Sequence, residues 1–66
     1  MKRARIIYHE DVGSWWAESP DFPYTAVGDT LEEVQALARE GLPWAAEEPL
    51  LLEESLASAA AEVARP

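Results

Sequence analysis

The sequence predicts an α+β domain in which one helix packs on one face of a three-stranded antiparallel sheet (β-β-β-α), followed by a C-terminal helix. Three observations predict this class. β-Branched and aromatic residues recur before residue 28, a helix start signal follows at Thr30, and strong helix formers fill residues 50–64. With 66 residues, the chain forms one domain, with its core over about residues 2–46 and a helical segment over about 49–64.

The first two strands are predicted to form a hairpin. Residues 2–9 combine β-branched and aromatic side chains after a basic start, and residues 14–19, with two adjacent tryptophans, read as the second strand. Between them, residues 10–13 suit a turn, because they end in Gly13, which adopts positive φ without strain. The strands are therefore expected to be antiparallel.

Alternation along the second strand separates its side chains into two faces. Trp15 and Ala17 share one face, whereas Trp16 and Glu18 share the other. Because one helix covers only one face of a sheet, Glu18 marks the more solvated face. Trp16 then has two interpretations: it lies against a loop or the C-terminal helix, or it contacts another chain.

A rigid loop and a short third strand lead into the helix. Pro20 and Pro23 fix two φ angles, so residues between them lie outside regular helix and central sheet. Residues 24–27 read as the third strand. Thr30 and Glu33 then have the spacing of a capping box, in which the threonine hydroxyl accepts from the Glu33 amide and the Glu33 carboxylate reaches back.

The predicted helix covers about residues 31–40 and has one apolar stripe. The stripe residues are Leu31, Val34, Leu37, Ala38 and Leu42. Gly41 and Pro43 come next, and Pro43 has no amide to donate to the Arg39 carbonyl, which favours a kink or a restart here.

The segment after the second break, residues 50–64, is interpreted as a helix because leucine, alanine and glutamate dominate it. One alternative stays open: Leu50, Leu51 and Leu52 could begin a strand at the edge of the sheet.

Composition narrows the kinds of site that the chain can carry. It has five Lys and Arg against thirteen Asp and Glu, a formal charge of −8, one histidine and no cysteine. Such a charge repels nucleic acid and favours either plain solubility or a basic partner. A chain this short has marginal stability without a disulfide, a metal or a partner, so self-association is expected. The apolar run at Ile6 and Ile7 is too short for a signal peptide or a membrane span, which predicts a cytoplasmic protein.

No catalytic, cofactor or metal site is expected. His9, Glu10 and Asp11 are adjacent at a hairpin end and do not converge on one point, and no nucleophile has a base beside it. Neighbouring glutamates in a helix point about 100° apart, so such pairs cannot share a site. The sequence therefore predicts no enzyme.

Two segments in order resemble the HicB antitoxin family. Residues 18–23 (ESPDFP) resemble its Pro-Asp-Leu-Pro-Gly loop, and residues 28–33 (GDTLEE) resemble its Gly-Asp-Thr/Ser-Leu-Glu-Glu-Ala helix start. The resemblance covers about residues 4–46. Tyr24 stands where the family has a glycine, and Gly41 interrupts a helix that is normally unbroken.

The resemblance implies a partial ribonuclease H-like fold without nuclease carboxylates, and assembly into a dimer or tetramer. It also implies that the chain neutralises a small basic ribonuclease toxin, HicA, that cleaves messenger RNA. The residues after about 47 are few and acidic, so this short form is expected to lack the family's DNA-binding domain and not to bind DNA itself.

From charge and strand alternation, the toxin contact is expected at an apolar anchor and exposed acids. These residues are Trp16, Glu18, Asp21, Glu32 and Glu33. The alternative is an oligomeric domain of the same fold that has no toxin and serves as a scaffold or interaction protein.

Overall fold

A computed structural model of the chain describes residues 1–57, which form a four-stranded mixed sheet covered on one face by a helix. The elements are β1 (Lys2–Asp11), β2 (Ser14–Glu18), β3 (Thr25–Gly28), α1 (Leu31–Ala46) and β4 (Leu50–Leu56). The strand order is β3-β2-β1-β4; the β3–β2 and β2–β1 pairs are antiparallel, and β4 runs parallel to β1. The α+β class is confirmed, but the prediction of three strands in a purely antiparallel sheet is wrong.

The β1–β2 hairpin forms as predicted, with a tighter turn. β1 continues to Asp11, which pairs with Ser14, so only Val12 and Gly13 remain in the turn. Gly13 has a φ of 73°, where a Cβ atom would be strained.

The helix begins at the predicted cap. Thr30 has extended backbone angles and its hydroxyl accepts a 3.1 Å hydrogen bond from the Glu33 amide. The Glu33 carboxylate reaches back to the amide of Asp29 at 3.4 Å. The hydrogen bonds that define this helix start therefore join residues no more than four positions apart.

The helix neither ends at about residue 40 nor restarts at Pro43, so those parts of the prediction are wrong, while a kink at this point stays a prediction. α1 is one continuous element of 16 residues through both positions. The fixed φ of proline suits a helix, so Pro43 costs one hydrogen bond to the Arg39 carbonyl. Burial of Leu42, which has no exposed surface, stabilises the turn that contains it.

The core lies between α1 and the sheet. Its buried residues are Ala4, Ile6, Tyr8, Ala17, Ala26, Val34, Ala38 and Leu42. Trp15 packs against this cluster, as strand alternation predicted. Leu37 was predicted to lie in the buried stripe, but it is 45% exposed because it lies on a different side of α1 from Val34 and Ala38.

The prediction of a C-terminal helix from residue 50 is wrong where the structure describes the chain, and the strand alternative is confirmed. Leu50–Leu56 pairs in parallel with β1 along seven residues, from Lys2 opposite Leu50 to Tyr8 opposite Leu56. Pairing satisfies the backbone groups on the free side of β1, which outweighs the helical propensity of the segment. Residues 58–64 of the predicted helix lie outside the described residues.

A polar network joins β4 to β1 and α1. The hydroxyl of buried Tyr8 donates to Glu54, and Arg39 donates to both carboxylate oxygens of Glu54, at 2.9 and 3.2 Å. Burial raises the pKa of Glu54, but the hydrogen bonds from Arg39 and Tyr8 and the charge of Arg39 outweigh it, so the pKa is lowered overall. Burial, followed by the hydrogen bond to Glu54, raises the pKa of Tyr8. The network stabilises the charged carboxylate and the neutral phenol.

The helix ends in an unfavourable backbone conformation that a substitution should relieve. Glu47 has φ 58° and ψ 29°, and its amide donates to carbonyls of the last helical turn. Glycine adopts this conformation without the Cβ penalty, and an acid is also unfavourable at a helix C-terminus. Glu47→Gly should therefore raise the free energy of unfolding by about 1 kcal/mol, measured by urea denaturation at pH 7. Glu47→Ala, which removes the charge and keeps the Cβ, should recover less than half of the gain. Equal gains from both variants would contradict the conformational explanation.

Candidate functional site

The sheet face opposite α1 carries a row of three side chains across three strands. His9, Trp16 and Val27 are neighbours in register, and the His9 and Trp16 rings stack with centroids 4.0 Å apart. His9 Nε2 lies 2.6 Å from a carboxylate oxygen of Glu18, which lies on the same face. Val27 is 65% exposed. Trp16 is therefore held by its own chain in a half-buried position beside an exposed apolar residue.

The loop after β2 is tied to β1 by Asp21. Its carboxylate accepts from the Arg5 amide at 2.8 Å and from the guanidinium at 3.0 and 3.3 Å. These hydrogen bonds, side chain first and backbone second, lower the pKa of Asp21. Asp21 therefore has a structural role in positioning this loop, and its charge is already balanced.

Every Lys and Arg in residues 1–57 forms an ion pair with an acid of its own chain. The pairs are Lys2–Glu48, Arg3–Glu53, Arg5–Asp21 and Arg39–Glu54. Twelve acids lie in this range, and four are used, so eight have no Lys or Arg partner there. Exposed pairs contribute little to stability, but they leave the excess negative charge concentrated elsewhere.

Five of those eight acids lie at one end of the domain. Glu10, Trp15 and Gly28 form one row across the sheet, and α1 begins three residues after Gly28. The end of β1 and the start of α1 therefore lie at the same end of the sheet. We call this the acidic end; its residues are Glu10, Asp11, Asp29, Glu32 and Glu33.

The five residues expected to contact a partner fall into three places. Glu32 and Glu33 lie at the acidic end, and Trp16 and Glu18 lie on the open sheet face next to it. Asp21 lies beyond the far end of β2 and is paired with Arg5. Sequence reasoning missed Glu10 and Asp11 as neighbours of the helix start, because their proximity depends on strand register.

Sequence reasoning also missed a hollow on the outer side of α1. It has a volume of about 360 Å³ and is lined by Tyr24, Leu37, Glu40, Gly41 and Trp44. The Tyr24 hydroxyl donates to the Leu37 carbonyl at 3.1 Å, and a Cβ at Gly41 would lie 2.0 Å from that hydroxyl. Leu37, Gly41 and Trp44 are spaced four and three residues apart, which places them on one face of α1. This spacing is the sequence signal from which the hollow could have been predicted.

Comparison of the chain with protein-family models, curated proteins and solved structures finds no match. Within residues 1–57, no helix is long and apolar enough to cross a membrane. No group of three or more His, Asp or Glu side chains suited to holding a metal ion occurs in the same range.

Proposed function

We propose that this chain is a HicB-like, antitoxin-type binding module that neutralises a small basic ribonuclease by protein–protein contact. The observation that carries the proposal is the charge distribution. The Lys and Arg residues of the described chain are neutralised internally, while five acids without such a partner share one end of the domain. A protein that grips RNA presents a basic surface, and an acidic partner associates fast with such a surface and covers it.

The contact surface in this proposal is the acidic end together with the adjoining sheet face. Trp16 and Val27 supply an apolar centre on the open sheet face, Asp11 lies on that same face, and Glu10 and the acids of the helix start lie on the α1 side of the same end. The acids at the start of α1 also stabilise the helix, because negative charges at a helix N-terminus interact favourably with the helix dipole. The activity proposed for this surface is binding and not catalysis. By binding the toxin in the cytoplasm, the surface would stop the toxin from cleaving messenger RNA.

The test is co-purification of the tagged chain with the products of its chromosomal neighbours. We expect a small basic protein to remain bound in moderate salt and to lose its RNA-cleaving activity in the complex. A homo-oligomer without any bound partner would instead favour the alternative, an oligomeric scaffold of this fold.

A pair of charge reversals tests whether the acidic end makes the contact. Glu10→Lys should weaken partner binding about tenfold, measured by calorimetry at 150 mM NaCl, because it places a cation against a basic surface. Glu53→Lys is the matched control, since it changes an exposed acid on β4 that lies opposite Arg5, away from the acidic end and from the hollow on α1. Equal weakening by the two variants would show that only net charge matters and would reject the acidic end as the contact.

A further inference from the structure

The hollow on α1 has an exposed aromatic wall, and its shape depends on a glycine within the helix. Trp44 is 84% exposed and Leu37 is 45% exposed, although both are large apolar side chains. Gly41 lies between them on the helix and has no side chain, which leaves the space that Tyr24 enters. The missing side chain at position 41 therefore admits the Tyr24 ring, which forms one wall of the hollow, and Trp44 forms an exposed wall.

The polar groups of the hollow define what it can bind. The Tyr24 hydroxyl donates a hydrogen bond to the Leu37 carbonyl, so this phenol proton is already used within the chain. Glu40 is the acidic residue lining the hollow, is exposed, and has no Lys or Arg partner within residues 1–57. Exposed aromatic surface beside one carboxylate suits a cation with a flat apolar surface, because such a cation can stack on an aromatic ring and pair with the anion.

We infer that the hollow of Tyr24, Leu37, Glu40, Gly41 and Trp44 binds an arginine side chain of the basic partner. Arginine fits better than lysine, since its guanidinium is planar, weakly hydrated and stacks on aromatic rings. Within residues 1–57 each Lys and Arg is paired with an acid, which favours an occupant from another chain, and Arg65, outside that range, is tested separately. This inference rests on the proposed function for the identity of the partner, and the site itself can be tested without it.

The probe is acetylated, amidated tetra-arginine, titrated into the full chain at 150 mM NaCl. We expect the indole N–H signal of Trp44, identified by its loss in Trp44→Ala, to shift in nitrogen–proton correlation spectra. Trp44→Ala and Glu40→Gln should each weaken peptide binding about fivefold, in line with one exposed cation–π contact or ion pair. Trp44 is exposed, so its removal should leave the fold intact, which thermal unfolding checks.

The controls separate a specific site from general attraction. Glu47→Gln, which neutralises an exposed acid outside the hollow, should change the affinity less than twofold, and tetra-lysine should bind more weakly than tetra-arginine. Equal effects of Glu40→Gln and Glu47→Gln, or an unshifted Trp44 signal, would overturn the site. A shift of the Trp44 indole signal in peptide-free Arg65→Gln, relative to the parent chain, would show that the chain's own arginine occupies the hollow and would overturn the assignment to a partner.

The same variants distinguish this inference from the proposed function. A toxin that binds Trp44→Ala as tightly as the parent chain would overturn the arginine contact and leave the antitoxin function standing. If co-purification finds no toxin and tetra-arginine still binds specifically at the hollow, the site would be supported and the antitoxin function would be rejected.

Discussion

Replacing Gly41 by alanine is expected to lower the free energy of unfolding by about 2 kcal/mol, although alanine is the better helix former. The new Cβ would lie 2.0 Å from the Tyr24 hydroxyl oxygen and 2.8 Å from the ring carbon that carries it. Because the aromatic ring is rigid, Tyr24 has to move as a whole. It would then lose its hydrogen bond to the Leu37 carbonyl and its packing on the helix. Urea denaturation at pH 7, followed by tryptophan fluorescence, measures the change.

The double variant Tyr24→Ala/Gly41→Ala shows whether the clash is the cause. In the Tyr24→Ala background, Gly41→Ala should no longer destabilise and should gain up to about 1 kcal/mol from helix propensity. If Gly41→Ala destabilises equally in both backgrounds, Tyr24 is not the reason for glycine at this position.

Replacing Glu54 by alanine is expected to lower the free energy of unfolding by about 2 kcal/mol at pH 7. The buried Tyr8 hydroxyl would lose its acceptor, and Arg39 would lose both of its hydrogen bonds to β4. An unsatisfied buried polar group costs more than the hydrogen bond itself contributes. Glu53→Gln is the matched control on the same strand. Its carboxylate pairs with exposed Arg3 on the other face, so we expect a loss below about 0.5 kcal/mol.

The same carboxylate should make stability depend on pH in the acid range. The pKa of Glu54 is lower in the folded chain than its ordinary value of 4.5, so the folded state favours the charged form. Its contribution is present above pH 4.5 and is lost as the pH falls below that value, through the folded-state pKa. Glu54→Gln should flatten this part of the stability profile relative to the parent chain. The pKa of Asp21 is also lowered and persists in the variant, so the difference between the two profiles isolates Glu54. Parallel profiles would contradict the role assigned to the network.

The fold explains together why a tyrosine stands at position 24 and a glycine at position 41. In the sequence, Tyr24 after the two prolines and Gly41 inside a helix have no visible connection. In the fold they are partners, since the absent Cβ at Gly41 admits the Tyr24 hydroxyl. Neither residue predicts the other locally, because 17 positions separate them and no periodicity connects them.

Errors in the sequence prediction arose where neighbouring chain segments compete for hydrogen bonds. Residues 50–56 have strong helical propensity, yet they pair with the free side of β1 and supply Glu54 to Tyr8 and Arg39. Propensity differences of a few tenths of a kcal/mol per residue cannot outweigh a row of backbone hydrogen bonds and a buried contact. The helix was predicted to end near residue 40 for a related reason: Pro43 removes one helical hydrogen bond and crowds the Arg39 carbonyl, but burial of Leu42 in the core favours continuation of the helix.

The amino-acid sequence by itself determined the features whose physics is local. The Gly13 turn, the alternation of Trp15 and Trp16, and the Thr30 cap each depend on residues within a few positions of one another. Tertiary structure alone decided the fourth strand, the hollow beside Gly41 and the gathering of acids from β1 and α1 at one end. These features depend on strand register and on contacts between distant residues, and local propensities carry no information about either.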